Sequence, residues 1–76
     1  MDCPVCDHAA AEDITAGDFD GKSIRCPRCG EYDIGGAMAL PGVLQRLLPF
    51  RRRAALDKAT RRALPNRRPR ITSNDL

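Results

Sequence analysis

The first half of the chain carries the short alternating segments of a small β-sheet. Residues 14–19 and 22–25 flank the dipeptide Asp20-Gly21. This dipeptide favours a two-residue hairpin turn, because such a turn needs positive φ at both central positions. Apolar and acidic residues then alternate over residues 31–34, which predicts a third strand with one apolar face. The small core expected beside these strands consists of Ile14, Phe19, Ile24, Tyr32 and Ile34.

The second half of the chain favours helix. A short apolar helix is predicted at about 43–48 and the main helix at about 50–64, where Ala, Leu and Arg are strong helix formers. Pro49 suits the first turn of that helix, because a proline there loses no hydrogen bond. Pro65 ends it, because the residue before a proline avoids helical angles. A thin apolar stripe along the main helix consists of Leu48, Arg52, Ala55, Leu56, Ala59 and Ala63.

Residues 65–76 are predicted to form a basic loop and tail. Thr72 stands where an N-cap would, and Asp75 follows three residues later, which is the spacing of a capping box. Two alternatives remain open for residues 71–76. They either open a helix that the chain does not continue, or dock on the sheet through Ile71 and Leu76.

The chain is short enough that we expect it to need a stabilising cross-link. Its 76 residues have room for one small domain and an appendage, and its only aromatic residues are Phe19, Tyr32 and Phe50. So short a chain buries little apolar surface, so disulfides or a metal are expected to stabilise it. The acidic residue directly after Met1 is unlike a signal peptide, and no apolar run could span a bilayer. We therefore expect a cytoplasmic protein with no membrane partner, in which metal is favoured over disulfides.

Four cysteines form the most specific motif of the chain. Cys3, Cys6, Cys26 and Cys29 follow the pattern C-x2-C-x19-C-x2-C, which is typical of a tetrathiolate zinc site. Two residues between cysteines let a tight turn aim both sulfurs at one ion, and the linker brings the second pair round to complete a tetrahedron. One structural Zn²⁺ is predicted, with disulfides, iron and thiol redox chemistry as alternatives. His8 is a fifth candidate ligand, but four cysteines complete the shell, which favours a surface histidine.

The residues around the cysteines resemble a zinc ribbon. The stretches CPVC and IRCPRCGEYDI, with a proline after the first cysteine of each pair and Gly30 after the last cysteine, are similar to rubredoxin-like knuckles. They resemble the ribbons of transcription factors, of polymerase subunits and of small uncharacterised bacterial zinc-ribbon proteins. The resemblance covers residues 1–36, and because ribbon functions range from nucleic-acid binding to scaffolding, it selects no partner. The predicted fold is a small metal-stabilised α+β chain, with a three-stranded zinc ribbon at 1–36 and a basic α-helical extension at 37–76.

The net charge of +3 conceals a strong asymmetry between the halves. Residues 1–36 carry eight acidic and three basic side chains (net −5), whereas residues 37–76 carry ten basic and two acidic ones (net +8). Arginines that contact phosphates would give salt-sensitive binding with little base information, and the acidic half would repel phosphate. The alternative is that these arginines are solvated or face a protein. The candidate contact residues are Arg51, Arg52, Arg53, Lys58, Arg61, Arg62, Arg67, Arg68 and Arg70.

Three functions from different classes are consistent with these patterns. We expect a non-catalytic zinc-binding ribbon protein, regulatory or an adaptor, that contacts DNA or RNA through its arginine-rich helix and tail. The main alternative is a protein-interaction module that docks on a larger complex or forms a homodimer through the alanine-lined helix face. A thiol redox protein is the third. No nucleophile–base pair and no open metal position is visible, so neither an enzyme nor a small-molecule substrate is expected.

Overall fold

A four-stranded sheet forms the centre of the computed structural model, which describes residues 1–40 and 42–76. The strands follow one another across the sheet in chain order, as β1 (Glu12–Asp13), β2 (Gly21–Cys26), β3 (Gly30–Gly35) and β4 (Arg70–Ile71). The first three are antiparallel, whereas β4 runs parallel to β3. The sheet has four strands where the sequence predicted three, because the C-terminal tail returns to the edge of β3.

The tight hairpin of the sheet lies at the second cysteine pair and not at Asp20-Gly21. β2 and β3 pair along their whole length, and residues 27–29 form the turn between them. The predicted strand at 14–19 is an irregular connection that follows the two-residue β1. The hairpin prediction was wrong because Gly21 is the first residue of β2 and pairs with Gly35 of β3. The φ of Gly21 is 148°, and a Cβ at this position would collide with the carbonyl oxygen of Ile34 on the paired strand.

The core lies on one face of this sheet and draws on both halves of the chain. Of the five residues predicted to form it, Ile24, Tyr32 and Ile34 are buried in the paired strands. Ile14 and Phe19, which lie outside the strands, are only half-buried. The other members of the buried hydrophobic cluster are Cys3, Val5, Ala11, Cys26, Met38, Leu44, Ala55, Leu56, Ala59 and Ile71.

One α-helix of the described residues, α1 (Pro49–Arg62), lies between β3 and β4 in the chain and begins with the proline that the sequence favoured. The predicted helix at about 43–48 is only a 3-10 turn, Leu44–Arg46, and two further 3-10 turns lie at Gly36–Ala39 and Ser73–Asp75. Among residues 1–40 and 42–76, no helix combines the length and apolar character needed to cross a bilayer.

The alanine-lined face of α1 is buried in the protein's own core. Ala55, Leu56 and Ala59 are each at most 3% exposed, whereas Leu48 at the start of the stripe is 59% exposed. The face that was considered as a homodimer surface is therefore already occupied within the chain.

The C-terminal tail docks on the sheet. Asp33 of β3 donates its backbone N–H to the carbonyl oxygen of Pro69 at 2.8 Å, and Ile71 is fully buried. The predicted capping box forms, because the Asp75 carboxylate accepts from the Thr72 N–H at 2.9 Å. Docking therefore runs through Ile71, whereas Leu76 remains 55% exposed.

We expect Ile71→Ala to lower the free energy of unfolding by about 2–4 kcal/mol, because it leaves a cavity beneath the tail. The matched control is Leu76→Ala, which truncates an exposed residue of the same segment and should stay within about 0.5 kcal/mol of the parent protein. Urea denaturation of the metal-loaded protein measures both values. Equal effects of the two substitutions would contradict docking through Ile71.

Candidate metal centre

The four cysteine sulfurs converge on one point. Every Sγ lies within 4.8 Å of the other three, with 4.0 Å between Cys3 and Cys29 and 3.5 Å between Cys6 and Cys26. Four sulfurs at 2.3 Å from a tetrahedral zinc ion would stand about 3.8 Å apart. A disulfide needs about 2.0 Å, and all four cysteines are free. The donor set fits a tetrahedral ion that prefers sulfur.

A tight turn places the first pair of ligands. The N–H of Asp7 donates to the carbonyl oxygen of Cys3 at 2.8 Å, and the N–H of Cys3 donates to the carbonyl oxygen of His8 at 3.0 Å. Asp7 adopts φ of 64°, a left-handed conformation that aspartate tolerates better than most residues. Residues 3–8, which we call knuckle 1, thereby bring the Cys3 and Cys6 sulfurs to the same side.

The β2–β3 hairpin places the second pair. Cys26 is the last residue of β2, and Gly30, with φ of 83°, is the first residue of β3. Across the turn, the N–H of Arg28 donates to Cys26 Sγ at 3.4 Å. Residues 26–30, called knuckle 2, are therefore an extension of the sheet, so strand pairing fixes the position of these two sulfurs.

Two side chains from other elements contact the sulfurs. The hydroxyl group of Tyr32, on β3, lies 3.0 Å from Cys3 Sγ, and the guanidinium group of Arg53, on α1, donates to Cys29 Sγ at 3.6 Å. Burial, together with the nearby sulfurs, raises the pKa of Tyr32, so its hydroxyl stays protonated and can donate. Such outer hydrogen bonds hold ligands in place and offset the negative charge of a tetrathiolate site.

The thiols differ in how readily they ionise. Burial opposes ionisation of Cys26, but hydrogen bonds from the backbone N–H groups of Cys29 and Arg28 outweigh it and lower its pKa to about 7. Burial raises the pKa of Cys29, and a hydrogen bond with Cys6 and the charge of the other sulfurs raise it further. Burial also raises the pKa of Cys6. Without a cation, the four thiols resist ionising together, so a bound metal would have to displace protons.

Arg52 ties α1 to knuckle 1, a role that the sequence did not reveal. It is 6% exposed and donates to the carbonyl oxygens of Leu47 and Pro4 at 3.2 and 3.3 Å. It also forms an ion pair of 3.2 Å with Asp7. Arg52 was predicted to contact a partner, but this burial removes it from the accessible surface. One feature of the sequence indicated this burial, namely that Arg52 lies in the otherwise apolar stripe of the helix.

Apart from Arg53, which donates to Cys29 Sγ, the remaining predicted residues lie away from the cysteine cluster. His8 is outside the cluster, and its Nδ1 accepts the N–H of Ala10 at 3.1 Å. Three of the predicted arginines form ion pairs with carboxylates, namely Arg53 with Asp57, Arg62 with Asp75, and Arg68 with Glu31 and Asp33. Two lie over aromatic rings, Arg51 over Phe50 and Arg70 over Phe19. The last three are exposed and form no ion pair within the described residues: Lys58, Arg61 and Arg67.

We expect Tyr32→Phe to weaken metal binding by about tenfold or more, because it removes only the hydroxyl group that lies 3.0 Å from Cys3 Sγ and can donate to a thiolate there. The control is Ser23→Ala, which removes another buried hydroxyl, one that donates to Asp33 Oδ1 at 2.8 Å and touches no cysteine. Competition against a chromogenic chelator measures both affinities. An equal loss in the two variants would show that the tyrosine hydroxyl acts on the fold and not on the ligand.

Metal affinity should fall as the pH falls. The ligands bind as thiolates, and the raised pKa values of Cys29 and Cys6 mean that both carry protons at neutral pH when no metal is bound. Binding therefore releases at least these two protons, and below pH 7 also that of Cys26, so the affinity should drop by at least about a hundredfold for each pH unit below neutrality. Chelator competition over a pH series, corrected for the chelator's own protons, tests this. A pH-independent affinity would contradict it.

Comparison with protein-family models, with curated proteins and with solved structures found no match. The zinc-ribbon-like character of the chain therefore rests on the cysteines themselves and on the sheet that carries them. Together they form a small α+β protein with a four-stranded sheet, one α-helix and four clustered cysteines able to hold a metal ion.

Proposed function

We propose that this protein is a structural zinc-binding adaptor, and the convergence of the four cysteine sulfurs within 4.8 Å carries the proposal. Tetrahedral sets of four sulfurs bind zinc or iron. Zinc is the simpler occupant, because it has no redox chemistry and accepts tetrahedral thiolate ligation without further cofactors. The first two ligands come from the N-terminus and the last two from the sheet, so one ion cross-links both.

The proposed role of the ion is structural and not catalytic. Four thiolates fill the tetrahedral shell, which leaves no position for a water molecule or a substrate. Cys3 and Cys26 are at most 2% exposed and belong to the core cluster, which further separates the ion from solvent. Because a site like this does not persist in an unfolded chain, the binding free energy contributes to folding.

Contact with nucleic acid is the proposed adaptor function, and the charge distribution of the sheet supports it. Arg25 lies 3.8 Å from Glu12 and 3.6 Å from Glu31, and Arg68 lies 3.5 Å from Glu31 and 3.4 Å from Asp33. These exposed pairs add little stability, about 0–1 kcal/mol each. The arginines of these pairs balance the charges of Glu12, Glu31 and Asp33, which would otherwise repel phosphate. Within the part of the chain that the structure describes, Lys58, Arg61 and Arg67 form no ion pair.

A protein partner is the second candidate, and exposed apolar side chains favour it. Leu48, Phe50 and Leu64, at the two ends of α1, are 59%, 66% and 66% exposed. A surface of this kind would serve a docking partner better than the alanine-lined face, which is buried.

We expect the purified protein to contain one equivalent of zinc per chain and to unfold when a strong chelator removes it, because metal binding supplies much of the folding free energy. Metal analysis gives the stoichiometry, and circular dichroism follows the unfolding. Adding zinc back after chelation is the control, and it should restore the original spectrum. A chain that keeps its fold after complete metal removal would refute the structural role, and stoichiometric iron would refute the identity of the ion.

A further inference from the structure

A cleft lined by four arginines lies between the C-terminal end of α1 and strand β4. It has a volume of about 330 Å³, and no acidic residue lines it. We call it the arginine cleft. Its polar lining residues are Arg62, Arg67, Arg68, Arg70 and Thr72.

Carboxylates hold two of these arginines in place. Arg62 forms an ion pair of 2.8 Å with the buried Asp75 and also donates to the carbonyl oxygen of Arg70 at 3.2 Å. Arg68 lies between Glu31 and Asp33 of β3. The charges of these two guanidinium groups are therefore largely balanced.

The other two arginines of the cleft, Arg67 and Arg70, can interact with a ligand through their charge. Within the described part of the chain, neither Arg67 nor Arg70 forms an ion pair with a carboxylate. The Arg70 guanidinium lies over the ring of Phe19, 5.2 Å from its centre. A Cβ on Gly35 would come within 2.8 Å of Arg70 Nε, so this glycine leaves room for the side chain. Arg70 is therefore held in place by packing and not by a counter-charge.

The charge balance of the cleft favours an anion. The C-terminal end of α1 contributes about half a negative charge, which opposes anion binding. Two unpaired guanidinium groups outweigh that contribution. A guanidinium group presents its N–H donors in a planar fork that matches the oxygens of a phosphate. A neighbouring opening shares Arg67, Arg68 and Arg70 with the cleft but is also lined by Asp33. A phosphate held by these arginines should therefore prefer the cleft, which lacks an acid.

We propose that the arginine cleft binds a backbone phosphate of a nucleic acid, with Arg67 and Arg70 as the charges that hold it. This inference rests on the proposed nucleic-acid contact and assigns it to one place on the protein. No base edge is read at this site, so the binding is sequence-independent and salt-sensitive.

The test measures the affinity of the zinc-loaded protein for a fluorescently labelled single-stranded DNA over a salt series. Arg67→Gln removes an exposed, unpaired charge, so the fold should survive. It should weaken binding by about tenfold at low salt and reduce the slope of log K against log salt by about one. Arg61→Gln is the matched control. It makes the same charge change at another exposed, unpaired arginine outside the cleft and should alter affinity by less than about threefold.

This experiment tests the arginine cleft and the nucleic-acid contact separately. A larger loss for Arg67→Gln than for Arg61→Gln, repeated with Arg70→Gln at unchanged zinc content, supports the cleft. Equal losses at positions 61 and 67 would overturn the cleft but preserve the nucleic-acid contact. No binding of DNA or RNA by the parent protein at low salt would overturn both.

Discussion

Four sulfurs held within 4.8 Å of one another create the electrostatic constraint on which this fold depends. As thiolates they repel one another unless a cation balances their charge, and as thiols they make poor partners for the buried groups around them. Hydrogen bonds from Arg28, Tyr32 and Arg53 can offset only part of that charge. A single metal ion would relieve this repulsion and cross-link the N-terminal turn to the sheet.

The consequences of that constraint extend to α1 and the tail. Arg52 joins the helix to knuckle 1, and Arg53 joins it to knuckle 2 through Cys29. The helix in turn supports the C-terminal segment, since Arg62 binds Asp75. The basic second half is therefore built into the same core as the metal site. An ion held by the cysteines would therefore also support the arrangement of arginines at the far end of α1.

Sequence patterns revealed the local features and missed the long-range ones. The cysteine spacing, the alternation of residues 31–34 and the Thr72 capping box are short-range signals, and the structure has each of them. The hairpin was misplaced, because Asp-Gly has a strong turn preference that the pairing of Gly21 with β3 overrides. Docking of the tail through Ile71 was one of two alternatives that the sequence left open. The parallel pairing of β4 could not be predicted, since two residues carry no periodicity. Arg52 was misread, because two of the groups that it binds, the Pro4 carbonyl and the Asp7 carboxylate, belong to knuckle 1 and are far away in the sequence.

The most direct test of the account is X-ray absorption spectroscopy at the zinc edge on the purified protein, because it reports the identity, number and distance of the ligands in one experiment. A tetrathiolate zinc site predicts four sulfur ligands at about 2.3 Å in a tetrahedral arrangement, with no nitrogen or oxygen ligand. A spectrum that shows mixed sulfur and nitrogen or oxygen ligation, or a protein that binds no zinc at all, would contradict it.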